Sequence, residues 1–405
     1  MKSYIGIDWS KKHHDVHIQN ERGATLSEFQ VPHSQAGFQE LVSRIQRKSD
    51  GADSCLIGIE TAHNSVVDHL IGQGYTVYVL PPNRVESARG TYRASQARND
   101  SFDARVITEL LRDKLALFTR WQPDSALLQQ IRLLLSWLTD LTQSRQQQHN
   151  RLLALLESHY PQLPAAFSKL DGQVILALLQ RYPTPAALKQ LSRSAFVDLC
   201  HEHRYHRHER IAACYNSLQQ PQPRTPLSLT PALSLTLTEL AAQLQLLKQQ
   251  KQAVEAQLTQ LFDQHEDAFI FRSLPGAGTL LAPSLLAILG EDRQRWPTPK
   301  ALAAVAGTVP ITAQSGNWRA VRFRRACNRQ YRRTFQLLAR CSRRQAEWAA
   351  DYFQAALSRG LTRSHADRLL ANRWVHIIWT LWQRREAYDD ARHTGNIRQH
   401  RRPLS

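Results

Sequence analysis

Apolar and polar positions alternate with a period of two over three short runs at the start of the chain, YIGID, HDVHI and ATLSEFQV. This period marks strands whose side chains alternate between core and solvent, and the KKH turn makes the first two partners. The period changes to 3.6 from about Ser34 to Arg47 and returns to a strand in SCLIGIE. A helix over Ser65 to Gln73, the strand YTVYVL and a helix over Asp103 to Lys114 complete the alternation. From about Pro123 the strand signal is lost and Leu and Gln dominate, as in LLQQIRLLLSWLTDLTQ and RLLALLESHY.

Three strands followed by alternating helices and strands give an α/β first domain with the element order of an RNase H-like fold, and the rest of the chain is expected to be all-α. Leu237, Leu240, Leu244, Leu247, Lys251, Val254, Leu258 and Leu261 follow one another by steps of three and four, the seam of a coiled coil with one polar position. Such a seam packs within its own chain or against a second copy, and the sequence leaves both open. Pro-rich turns, YPQLPAAF, RYPTPAAL and QQPQPRTP, punctuate this region, the last being the best linker. Near Phe271 the run RSLPGAGTLLAPSLLAILG turns sharply before an apolar helix, like a helix-hairpin-helix turn whose amides meet a phosphate. An Arg-rich helix over about Tyr331 to Ala356 and a disordered tail after Ala391 follow. The expected domains are 1–120, 121–265 and 266–390, with a basic tail over 391–405.

Charge sharpens this picture. The 405 residues carry a net +18, and +14 of it falls between Gly316 and Ser405, where 20 Arg and no Lys stand against six acids. Arg without Lys favours phosphate recognition, because the planar guanidinium grips two oxygens at once, although a basic tail that only solubilises has the same composition. Cys55, Cys200, Cys214, Cys327 and Cys341 form no CxxC pair and are odd in number, which argues against a zinc ribbon or a disulfide framework and fits a reducing cytoplasm. The N-terminus has no signal-peptide core, and no apolar run approaches the roughly 18 residues that cross a bilayer.

Four acids occupy informative places. Asp8 lies at the end of the first strand and Glu60 at the end of the fourth, while Asp100 and Asp103 share one helix face. In the expected fold the first and fourth strands are neighbours, so these acids converge at one sheet edge, where hard divalent cations find oxygen ligands. Taken alone, Asp100 is equally an N-cap with Asp103 as its first-turn acid. Ser315, in ITAQSGNWRAVRFRR, stands beside Gly316 and ahead of Arg319, Arg322, Arg324 and Arg325. A serine there can attack a phosphodiester while guanidiniums neutralise the transition state, yet on the residues alone ordinary turn chemistry accounts for it. His201, His203, His206 and His208 match no zinc spacing and read as a solvated face, and Trp374, Trp379 and Trp382 read as core.

The chain resembles transposases of the insertion sequence 110 family, the DEDD transposases described as bridge-RNA-guided recombinases. The resemblance is carried in chain order by YIGIDWSKKHHDVHI, GIETAHNSVVDHL, YTVYVLPPNRV and RNDSFDARVITELL, then by LPGAGTLLAPSLLAILG and ALAAVAGTVPITAQSGNWR. It implies a RuvC-like first domain whose tetrad is Asp8, Glu60, Asp100 and Asp103, holding Mg²⁺ or Mn²⁺, and a C-terminal transposase domain whose nucleophile is Ser315. It implies a transient phosphoserine link that conserves bond energy, so no nucleotide cofactor is expected. Donor and target double-stranded DNA, an element-encoded guide RNA, and homodimers that assemble into a tetramer are the implied partners. Arg319, Arg322, Arg324, Arg325 and Asn328 are the expected nucleic-acid contacts. Where the family has a Lys-x-Gly-Asn stretch this chain has Arg325, Ala326, Cys327 and Asn328, so a left-handed backbone at Cys327 would be strained. The competing reading keeps the acids but makes the enzyme a RuvC-type nuclease or junction resolvase with water as nucleophile; a noncatalytic nucleic-acid-binding protein is the third.

Overall fold

The computed structural model describes residues 2–61, 64–92, 100–221, 226, 228–315 and 318–401. The chain divides into two units, Met1–Asp124 and Ser125–Ser405.

In the first unit β1 (Ser3–Trp9), β2 (His13–Asn20), β3 (Thr25–Pro32), β4 (Cys55–Ile59) and β5 (Thr76–Val79) form one mixed sheet in the order β3-β2-β1-β4-β5. The first three strands are antiparallel neighbours, and β4 pairs parallel with both β1 and β5. The parallel pairs need crossovers. One is α1 (Gln35–Gln46), whose N-cap Ser34 accepts from the Gly37 amide, and the other is α2 (Ser65–Gly72), capped by Asn64. Ile5, Ile7, Val16, Ile18, Ile57 and Ile59 face α1 and α2 in one buried layer. The opposite layer joins Tyr4 and Leu56 to Val106, Ile107 and Leu111 of α4 (Asp100–Lys114), with Val85 and Ala88 of α3 (Pro82–Tyr92). The period predicts α4 three residues shorter and does not predict α3 at all.

The second unit is helical apart from one hairpin. Long α5 (Ala126–His159) is followed by α6 (Gln162–Ala166), α7 (Gln173–Arg181), α8 (Pro185–Leu188), α9 (Arg193–Glu202) and α10 (His208–Leu218), and then by long α11 (Thr230–Gln264). The leucine seam of α11 is used within the chain. Leu237, Leu240 and Leu244 pack with Leu152, Leu156 and the short helices in one core, whereas Leu258 joins Leu128, Ile131 and Leu138 in another. Leu247, Lys251 and Val254 between them are half-buried, and Lys251 pairs with Glu255 along the helix.

The second core gathers α12 (Ala268–Arg272), α13 (Gly278–Leu289), α14 (Pro299–Val305), α15 (Arg329–Ser342), α16 (Glu347–Ser358) and α17 (Arg363–Arg384). Trp374 and Trp382 are fully buried in it, and Trp379 donates to the Trp296 carbonyl at 2.8 Å. The expected continuous Arg-rich helix is two helices. Around the break Ser342 accepts from Trp374 and Gln345 accepts from the Gly276 amide, so these side chains serve neighbouring segments. The tail is likewise no disordered extension as far as Arg401, because α18 (Asp390–Arg401) follows Tyr388, whose hydroxyl accepts from Trp348 at 2.7 Å and donates to Asp390 at 2.8 Å. The His393 ring packs on Trp348.

Candidate active site

Register builds the acidic edge of the first unit. Ile7 of β1 pairs with Ile59 of β4, so Asp8 and Glu60 follow side by side where the parallel strands end. Since Ile5, Ile7, Ile57 and Ile59 face α1 and α2, alternation turns Tyr4, Gly6 and Asp8, and Leu56, Gly58 and Glu60, toward α4. Glycine lets that helix approach closely. A Cβ on Gly6 would stand 2.1 Å from the Ala104 carbonyl oxygen and 2.4 Å from Thr108 Oγ1, and one on Gly58 would meet Ile107 at 3.0 Å. Asp103, next to Ala104, is thereby brought to the same sheet face. Asp15 lies opposite Asp8 in β2, buried and bonded to Gln30 at 3.1 Å.

An arginine that sequence reasoning passed over ties two of these acids, Glu60 and Asp103, together. From α3, Arg89 donates through Nε to Asp103 Oδ1 at 2.9 Å and through Nη2 to Asp103 Oδ2 at 3.0 Å. The same Nη2 lies 3.5 Å from Glu60 Oε1, and Nη1 pairs with Glu86 one turn back. Burial pushes the Glu60 carboxyl above its ordinary range; Arg89 opposes the rise, and the charges of Asp103 and Glu86 add to it. Glu60 Oε1 is buried without a hydrogen bond. Glu60 and Asp103 share one guanidinium, and their carboxylate oxygens are the kind of donor that a hard divalent cation takes. Among the described residues no three His, Cys, Asp or Glu side chains stand close enough to hold a metal ion. Asp100 opens α4, but its side chain lies outside the described residues.

In the second unit, β6 (Ile311–Ser315) and β7 (Trp318–Arg322) form an antiparallel hairpin, and Ser315 ends its first strand opposite Trp318. The sequence read this segment only as a polar turn, although two residues, Gly316 and Asn317, between such runs are a hairpin signal. The side chains of Ser315 and Arg319 lie outside the described residues. Arg322 is exposed opposite Ile311, Arg325 is exposed beyond the strand, and Arg324 is half-buried with its Nε unbonded. Val321 and Phe323 are 64% and 46% exposed, an apolar edge among arginines. The Arg332 and Arg368 guanidiniums stand 4.4 and 4.9 Å from the Phe323 ring centre.

Two of the expected roles change here. Asn328 caps α15, accepting from the Gln330 and Tyr331 amides at 3.0 and 3.1 Å, so its side chain has a structural task whatever else it meets. Cys327 escapes the expected strain, since Arg204 and Arg385 are the non-glycine residues with positive φ among the described residues. The left-handed residue is instead Gly307 (φ +62°), where a Cβ would come within 2.8 Å of Cys327 Sγ. In the histidine run, the rings of His206 and His208 lie 5.1 and 5.9 Å from that of His201, as neighbours on a surface rather than as metal ligands.

A DEDD transposase model matches residues 5–161, which include all four acids, and a model described as the transposase IS116/IS110/IS902 family matches residues 268–354, which include Ser315 and its arginines. The chain belongs to the IS110 family of transposases. Similarity to individual members runs along nearly the whole transposase. A protein assigned as the mini-circle transposase for IS117 in Streptomyces coelicolor is 28% identical, with 96% of each chain covered. The insertion element IS110 protein of 43.6 kDa from the same organism is 25% identical over 93% of each chain. The insertion element IS900 protein of Mycobacterium paratuberculosis is 24% identical over 97% of this transposase and 98% of its own length. A DEDD domain points to dependence on a divalent metal.

Proposed function

We propose that this transposase cuts and rejoins DNA through a transient phosphoserine link formed at Ser315, with the acids of the first unit holding the metal. The observation that carries the reading is the place of Ser315 at the turn end of a hairpin whose second strand carries Arg319 and Arg322, inside the family's matched segment. The Ser315 oxygen attacks a DNA phosphorus, one P–O bond forms as another breaks, and the departing DNA oxygen takes up a proton. A hydroxyl of the partner strand then attacks the phosphoserine, and Ser315 regains its proton. One diester replaces another, so no external energy source is needed. Arg319, next to the Trp318 that pairs with Ser315, is the arginine in register to supply positive charge for the pentavalent phosphorus, while exposed Arg322 and Arg325, at the foot of the hairpin, suit flanking phosphates.

Asp8, Glu60, Asp100 and Asp103 would hold Mg²⁺, which supplies Lewis-acid stabilisation of charge on phosphate oxygens. The strand order β3-β2-β1-β4-β5 supports an RNase H-like, RuvC-like reading of the first unit. An element-encoded guide RNA, assembly of dimers into a tetramer and action in the cytoplasm rest on the resemblance; the Arg-rich C-terminal segment supports a polyanionic partner. Among the described residues no helix is long and apolar enough to cross a membrane.

The test is covalent trapping on a supercoiled donor with the guide RNA and Mg²⁺. A DNA adduct should map to Ser315 and vanish in Ser315→Ala, and an adduct that survives this substitution overturns the assignment. The Arg89-bridged acids favour one second reading, a metal-dependent nuclease or junction resolvase using water. It requires that Ser315→Ala leave cleavage intact while Asp8→Asn abolishes it.

A further inference from the structure

We propose that Arg89 is the resident counter-ion of the acid cluster: it keeps Glu60 and Asp103 together before a divalent cation binds and is displaced by that cation. The inference rests on the reading of these acids as metal ligands. Glu60 follows β4 and Asp103 lies in the first turn of α4, so their carboxylates come from separate elements and repel one another unless a cation intervenes. The Arg89 guanidinium stands in the place of such a cation. Its planar fork spans both oxygens of Asp103, and the nitrogen facing Asp103 Oδ2 at 3.0 Å also faces Glu60 Oε1 at 3.5 Å. The guanidinium thus occupies the space between two carboxylates that a shared metal ion needs.

The arrangement also provides for release. Glu86 lies one turn before Arg89 on α3, is 68% exposed on its side chain, and already holds Nη1. A guanidinium leaving Asp103 and Glu60 therefore keeps an ionic partner on its own helix. Val85 and Ala88 hold α3 against the sheet layer, so the exchange needs a change of side-chain rotamer and no movement of the helix. One positive charge against three carboxylates is an incomplete match, and the remainder attracts a divalent ion.

The experiment titrates Mn²⁺ into the full-length protein without nucleic acid, reading free Mn²⁺ by electron paramagnetic resonance and thermal unfolding in parallel. Removing one competing positive charge beside a carboxylate is equivalent to about one pKa unit, so Arg89→Gln should bind Mn²⁺ about tenfold more tightly than wild type. Its metal-free form should unfold at a lower temperature and gain more from Mn²⁺ than wild type does. Arg89→Lys keeps the charge but cannot bridge the carboxylates, and it should bind with intermediate affinity; it also keeps the proposal testable if the Gln variant does not fold. Equal or weaker Mn²⁺ binding by both variants overturns the displacement while leaving the metal site standing. If wild type binds no more Mn²⁺ than Asp103→Asn, the metal reading fails and the inference falls with it.

Discussion

The two units gather like charges in opposite ways. In the first, strand register and two glycines bring carboxylates to one sheet edge, and Arg89 from a neighbouring helix balances part of their charge inside the unit. In the second, guanidiniums collect around an exposed hairpin edge, and among the described residues Arg332 and Arg368 pair with no acid although they share one phenylalanine ring. Burial, and then repulsion from Arg332, lowers the proton affinity of Arg368. Several acids of this unit are engaged with other arginines: Asp367 holds Arg340 and Arg343, Asp267 holds Arg293 and Arg385, and Glu386 holds Arg392. Arg340, Arg343, Arg385 and Arg392 are thus tied into the fold, whereas Arg332 and Arg368 face an aromatic ring instead of an acid. Preassembly marks the acidic site, and an open demand for anions marks the basic one.

The comparison is most severely tested at Gly6. A side chain there meets the α4 backbone, which cannot give way as a flexible side chain would, so Gly6→Val should destabilise the first unit by roughly 3 kcal/mol or more. Denaturant unfolding of the full chain, followed by hydrogen exchange in β1 and β4, reads the loss; an unchanged stability would mean that α4 is not held against β1.

A smaller effect is expected from pH. His14 is fully buried beside His33, and burial followed by repulsion from His33 and His13 pushes its pKa down to about 4. Its folded pKa lies below that of the unfolded chain, so stability is complete above about pH 6.5 and is lost progressively as pH falls toward 4, by roughly 3 kcal/mol. Burial shifts His17 in the same direction. His14→Gln should flatten most of this acid sensitivity in the first unit, and a pH profile identical to wild type would remove His14 as its source.

The smallest effect concerns the basic edge. Arg325→Gln should leave stability unchanged and lower the slope of log affinity against log salt by about one, measured on nonspecific DNA, if this exposed side chain contacts a phosphate. An unaltered slope would place the DNA path away from the hairpin.

How far all this was legible depends on the range of the interactions. The five strands and the crossovers followed from period alone, because alternation is a local property with a buried face to enforce it. Asp8 and Glu60 could be paired in advance because parallel neighbours align their ends. Helix α3 stayed hidden because PPNRVESARGTY has few apolar residues and no clear period, and among its described residues Val85 and Ala88 are the ones that join the core. No spacing rule announces Arg89, whose partners come from Glu86 nearby and from acids 29 and 14 positions away in the chain. Ser315 had no distinguishing signal of its own; the resemblance supplied the role proposed for it, and the flanking Gly-Asn pair was the missed pointer to the hairpin beneath it. The tail failed as a composition argument, since its anchoring comes from Tyr388 and Trp348, aromatic groups before the basic run.

The two long helices of the second unit have a metric consequence. At 1.5 Å per residue the 34 residues of α5 make a rod about 50 Å long, close to one and a half turns of B-form DNA. Each end of the rod lies in a separate apolar core, while the Gln-rich stretch between them buries little. The spacing of the two cores is therefore set by peptide geometry, a ruler whose graduations are backbone hydrogen bonds and whose reading side-chain substitutions along the middle would leave unchanged.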